Sequence, residues 1–199
     1  MMPAAPVVSP PALAPALLRL PRGLAACDIA FGDFDALADW DLAGRRPRVT
    51  AEPRASRVTV AVRRMRPIGR SARGRITLAA DRCWTIECGH GLADVTIDAS
   101  RPAFAGLAVA GGTSRLRVLL GVPAEPVRLR FAGGASHVEL VREPGLAARL
   151  RFAGAHAGVR VDGARHTSGR GGDVTAGAGR TLLECKFESG AAHVSLSEA

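Results

Sequence analysis

The chain of 199 residues has no Tyr, no Asn, no Gln and a single Lys, Lys186. It has only four Cys, too few for a disulfide framework at this length. It has no uninterrupted run of about 18 apolar residues, so no helix is expected to cross a membrane. Aromatics are 4% of the chain, which leaves no stacking platform for single-stranded nucleic acid. What is plentiful is Ala, Gly, Pro and Arg. Of 27 basic residues all but Lys186 are Arg, and 18 acids leave a formal charge of +9. A GC-rich genome writes this composition, so part of the charge reflects codon usage. Apolar residues are 47% of the chain, which excludes a disordered tail and is enough for a real core.

The organising feature is an internal repeat. Gly111-Gly112-Thr113-Ser114-Arg115-Leu116 is echoed by Gly133-Gly134-Ala135-Ser136-His137-Val138, with weaker copies from Gly89, Gly154 and Ser189. The anchoring aliphatics Val95, Leu116, Val138, Val159 and Val194 lie at intervals of 21, 22, 21 and 35 residues. Around each copy apolar residues alternate with period two, the signature of strands. Before the glycines this gives Trp84/Ile86/Cys88, Ala105/Leu107/Val109, Val127/Leu129/Phe131, Ala148/Leu150/Phe152 and Leu183/Cys185/Phe187. Each repeat therefore holds two short strands joined at a small-residue corner, where Gly allows positive φ or close backbone approach. The expected fold is all-β: a right-handed single-stranded β-helix, a β-solenoid with rungs of 21–22 residues, each pairing with the next at about 4.8 Å. A leucine-rich repeat has a similar period but wants Asn or Cys at its corner, and this chain has no Asn. A β-sandwich with accidental repetition is the other alternative.

The segment Arg128-Leu129-Arg130-Phe131-Ala132-Gly133-Gly134-Ala135-Ser136-His137-Val138-Glu139-Leu140 resembles actinobacterial hypothetical proteins with GGASxV-type repeats. That group is related to adhesin-like β-helix domains. The resemblance spans roughly residues 45–199 and implies a β-helical fold. It implies no catalytic residue.

The expected organisation is a flexible Pro-rich tail over 1–22, a leading segment with irregular first strands over 23–83, and regular rungs over 84–199. A Gly-rich loop over 162–180 is inserted before the last rung. Leu24-Ala25-Ala26-Cys27 looks like a lipoprotein cleavage site, but Pro3 to Pro15 and Arg19 to Arg22 interrupt the apolar stretch it would need. The chain is read as cytoplasmic, with a lipoprotein anchored at Cys27 as the minor alternative.

The repeat alignment places Arg128 and Arg130 beside Arg149 and Arg151 on outward positions, with Lys186 on the last rung. Such a face would bind an anion, an acidic partner or an acidic segment of the same chain. Otherwise it is a solvated surface. Arg117, Glu139 and Arg160 fall in one column and read as a structural ion ladder. The eight arginines from Arg54 to Arg75 could meet phosphates, but Asp28, Asp33, Asp35, Asp39 and Asp41 could neutralise them. Nucleic acid is not an expected partner. Cys83, Cys88 and His90 lack the spacing of a zinc site, and a rung carrying Gly158 is expected to separate His137 from His193. Ser136 and His137 are adjacent on a strand and should point apart. No two outward acids share a column on neighbouring rungs, as a solenoid glycosidase would need.

These observations favour a non-enzymatic structural or protein-interaction module with no cofactor, an assembly subunit being one form of it. The alternatives are a polyanion- or carbohydrate-binding protein using the arginine face, and an enzyme sited around the 162–180 loop. Only three residues follow Leu196, so the last rung is expected to be open and to meet a protein partner or a second copy there.

Overall fold

A computed structural model of the chain describes residues 13–42, 48–61, 73–178 and 182–199. It is all-β: eighteen strands hydrogen-bonded into one mixed sheet that does not close. Among the described residues the only helical turn is a 3-10 turn at Pro53–Ala55. No helix there is long and apolar enough to cross a membrane.

In chain order the strands are β1 (Ala14–Leu20), β2 (Leu24–Gly32), β3 (Ala38–Asp41), β4 (Arg48–Glu52), β5 (Arg57–Ala61) and β6 (Gly74–Ala79). Then follow β7 (Arg82–Cys88), β8 (Leu92–Ala99), β9 (Phe104–Val109), β10 (Thr113–Leu120), β11 (Val127–Phe131) and β12 (Ala135–Arg142). The last six are β13 (Ala148–Ala157), β14 (Arg160–Val161), β15 (Ala164–Arg165), β16 (Gly169–Ala176), β17 (Leu183–Phe187) and β18 (Ala191–Glu198).

Parallel pairings arrange these strands in two series. One runs β5–β1–β7–β9–β11–β17–β13, the other β6–β2–β8–β10–β12–β18–β14. The register is that of the repeat: Val95, Leu116, Val138 and Val194 are successive partners, Val161 pairs with Leu196 in the next layer, and all are buried. A strand of the first series and the strand that follows its corner form one layer. Antiparallel strands finish both ends: β4 on β5 and β3 on β6, then β16 on β13 and β15 on β14.

Alternating side chains point inward and form one continuous core. Phe131, Phe187 and Phe152 stack in it, with ring centroids 5.0 Å apart at each step. The indole nitrogen of the buried Trp84 donates to the Ala79 carbonyl at 2.8 Å, which satisfies its polar end.

Several expectations change. The 1–22 segment is not a tail throughout. Its residues 14–20 form β1, and Leu18 and Leu20 are fully buried, because Leu18 and Leu20 alternate inward like any core strand. Residues 1–12 lie outside the described residues. Cys27 is buried inside β2. The insertion is not a plain loop, since residues 169–176 pair antiparallel along β13.

The largest change is the order of layers. The layer β17–β18 sits between β11–β12 and β13–β14, and β1–β2 sits between β5–β6 and β7–β8. The C-terminal rung is therefore paired along both edges, which removes the premise that it needs a second subunit to cover it.

The corner glycines Gly91, Gly111 and Gly133 serve close approach rather than unusual φ. A Cβ on Gly133 would lie 2.4 Å from the Gly111 carbonyl oxygen. Gly133→Ala should thus push two layers apart and cost about 1–3 kcal/mol. A chemical-denaturation midpoint equal to wild type would contradict this. Positive φ falls just past the corner on Ala26, Asp94, Arg115, His137 and His193, and on Gly158 in the β13–β14 layer.

Candidate functional site

The arginine face is built on the outward positions of β11, β17 and β13. Arg128 is flanked by Gly106 and Glu184, and Arg130 by Ala108 and Lys186. Arg149 and Arg151 flank Glu184 and Lys186 from the other side. All five predicted cations share one face, but the two arginine pairs are not neighbours, because the C-terminal layer separates them.

Each cation meets a carboxylate of the same chain. Arg128 lies 3.8 Å from Glu184. Arg130 grips Glu188 with two hydrogen bonds of 3.0 Å, and Lys186 reaches the same carboxylate at 2.8 Å. Arg149 pairs with Asp173 of β16, and Arg151 stands 3.9 Å from the same group. The inserted segment thus supplies an acidic partner from within the chain. These pairs are screened by solvent, so each adds little to stability.

Hydrogen bonds first from Arg130 and then from Lys186 hold the Glu188 carboxyl down to about 2. Its contribution to stability is complete above the usual glutamate value of about 4.3 and fades as pH falls through about 2. In an NMR titration Arg130→Ala should move the Glu188 midpoint back toward the usual value. An unmoved midpoint would show that the pair is not formed.

On the second series the corner creates a different surface. Asp94, Arg115, His137 and His193 occupy equivalent places on β8, β10, β12 and β18. Beside them runs the column Thr96, Arg117, Glu139, Ser195 and Arg160. The two columns border an open groove of about 420 Å³. A second cavity of about 520 Å³ adjoins it through His193 and Ser195, bounded by Gly158, Arg160, Arg165, His166 and Ser168.

No family model and no curated protein matches the chain. Among solved structures it is similar to one described as a putative cell adhesion protein from Clostridium sporogenes. The two share 13% identity with a TM-score of 0.66, over 98% of this chain and 97% of that one. At that identity the likeness shows the fold alone.

Other predicted constellations resolve as follows. Arg117 meets Glu139 at 3.6 Å, but Ser195 separates Glu139 from Arg160, so the expected ladder stops after one pair. Arg73 bridges Asp28 and Asp94 at 2.9 Å each, and Arg101 holds Asp33 at 2.6 Å, so part of the acidic segment is neutralised internally. Arg63, Arg64, Arg66 and Arg70 lie outside the described residues. The four cysteines are free. Burial pushes the Cys88 thiol up to about 11 and raises that of Cys185, so neither is a nucleophile near neutral pH. No group of three metal-ligating side chains occurs among the described residues.

The sequence reading missed the histidine pair. His137 and His193 are not separated by the Gly158 layer; they are neighbours, with stacked rings 4.8 Å apart and 21° from parallel. Counting repeats along the chain puts β14 between them, whereas the C-terminal layer docks directly on β12. Nor is His137 simply turned away from Ser136 by strand alternation, since its φ is 51°.

Proposed function

We propose that this chain is a non-enzymatic protein-interaction module, a right-handed single-stranded β-helix whose end layers are interleaved and whose flat charged face contacts a protein partner in an assembly. The observation that carries the reading is that face. Three strands in register, β11, β17 and β13, present Arg128, Arg130, Glu184, Lys186, Arg149 and Arg151 at regular spacing on one face. Paired charges of both signs on a flat surface suit a protein with the complementary pattern, which fixes orientation by matching signs. The 21–22-residue register supports the β-helix, and the adhesion protein of similar fold supports a contact role. Four free thiols support a reducing compartment such as the cytoplasm.

A second reading has its own observation. The face carries Arg128, Arg130, Arg149, Arg151 and Lys186 against Glu184, Glu188 and Asp173, a surplus of two positive charges. That surplus is compatible with weak retention of a polyanion or an acidic carbohydrate.

One experiment separates them. Affinity purification from the native host uses wild type and the variant R128E/R130E/R149E/R151E, alongside a heparin column. The interaction reading expects a stoichiometric partner that the variant loses while keeping its fold by circular dichroism. It fails if wild type and variant recover the same proteins. Heparin retention of wild type that the variant alone loses, without a protein partner, favours the polyanion reading.

A further inference from the structure

We propose that the groove past the corner is a binding site for an acidic polysaccharide, with Arg115, His137, His193, Arg160 and Arg165 holding its carboxylate or sulfate groups. The inference is independent of the arginine face, because it uses side chains of the second series.

Charge is the first ground. On the arginine face every predicted cation meets a carboxylate, although Glu188 and Asp173 each serve two. In the groove the acids are already engaged: Asp94 by Arg73 at 2.9 Å and Glu139 by Arg117 at 3.6 Å. Among the described residues Arg115, Arg160 and Arg165 have no carboxylate within 4.0 Å, and all three are exposed. The groove therefore offers free guanidinium groups, which bind carboxylate and sulfate through paired N–H donors.

Conformation is the second ground. Arg115, His137 and His193 adopt φ of 51°, 51° and 52°, a region where a side chain is strained and Gly is not. The chain uses Gly freely and does place Gly158 at the equivalent point of the next layer, with φ 64°. Backbone geometry alone would favour Gly at all these points. Where the equivalent points of β2 and β8 carry Ala26 and Asp94, Arg and His in these layers place donors along the groove at a conformational cost.

Shape supplies the ligand class. The groove crosses the layers from β8 to β14, four steps of about 4.8 Å, so its length of roughly 19 Å suits an extended chain rather than a single ion. Where Gly158 replaces a side chain it widens into the cavity of about 520 Å³, within the range of ligand-sized pockets. Ser168 and Ser195 add hydroxyls there, and the stacked imidazoles of His137 and His193 add ring faces and N–H donors. Hydroxyls, small ring faces and guanidinium groups match sugar rings bearing acidic substituents. No Trp or Phe lines the groove to stack nucleobases.

The test uses fluorescence anisotropy of the full chain with labelled oligogalacturonate, a heparin-derived octasaccharide, and single-stranded DNA of equal charge. The two sugars separate carboxylate from sulfate as the preferred group. Wild type should bind at least one of them, with affinity falling as salt rises. R160A/R165A should weaken that binding at least tenfold, and so should H137G/H193G, in which Gly accommodates the positive φ and preserves the corner. R128A/R130A should bind as wild type. The proposal is overturned if neither sugar binds at low salt, if the groove variants bind as wild type while folded, or if DNA binds as tightly as the sugars. Loss of binding only in R128A/R130A would overturn it too, and would credit the other face.

Discussion

Phe187→Ala is expected to destabilise the protein by about 3–5 kcal/mol, the range for truncating a fully buried aromatic side chain. Phe187 lies between Phe131 and Phe152, with centroids 5.0 Å away on both sides and planes within 11° and 5° of parallel. Truncating the middle ring leaves a cavity bordered by two rigid rings whose backbones are tied into the sheet, so the site cannot collapse. Loss of contact with both rings adds to the transfer cost. Phe187→Leu, which refills most of the volume, should cost markedly less. Urea denaturation of the two variants measures the difference, and equal midpoints would show that the stack contributes little beyond apolar area.

Arg142 gives the second large effect, and its size depends on which side of the pair is removed. Its side chain is fully buried at the end of β12, 2.6 Å from Asp162 and 2.7 Å from Glu198. It links β12 and β18 to the turn after β14. The double variant D162A/E198A strands the Arg142 cation in the interior and should cost about 3–5 kcal/mol. Arg142→Met removes the same bridges but leaves two half-exposed carboxylates that water can reach, so it should cost less. A thermal melt in which Arg142→Met proves the worse variant would contradict this account. Glu198 itself is held below the usual carboxylate range, chiefly by the Gly145 backbone N–H and then by Arg142. Its support is therefore complete above the ordinary glutamate pKa and is lost as pH falls through the lowered value.

The strands and their inward faces were legible because period two and a 21–22-residue echo are local signals. Val95, Leu116 and Val138 pair just as their spacing implies. Spacing states which residues are equivalent, however, not which equivalents touch. The position of β17–β18 beside β12 is decided by tertiary contact, and with it the meeting of His137 and His193. β1 was hidden by the prolines before it, although Leu18 and Leu20 carry the strand alternation. The strand at Gly169–Ala176 was hidden by its glycines. It holds its place through antiparallel backbone pairing along β13, which needs no apolar pattern. At the arginine face the sequence revealed the cations, but not that Asp173 would arrive from the insertion to meet Arg149.

The interleaved ends bear on how the protein is made. During synthesis β13 and β14 emerge before β17 and β18, yet they dock on the sheet only through those later strands. At the other end β1 and β2 emerge before β5 to β8 and wait for partners on both sides. Assembly in the order of translation, layer upon layer, is thus blocked at each end. β17 and β18 close the structure only after β13 and β14 have been made, so folding is dominated by long-range pairing, which is slow. Unravelling from a terminus is blocked by the same arrangement, since each terminal layer is held along both edges.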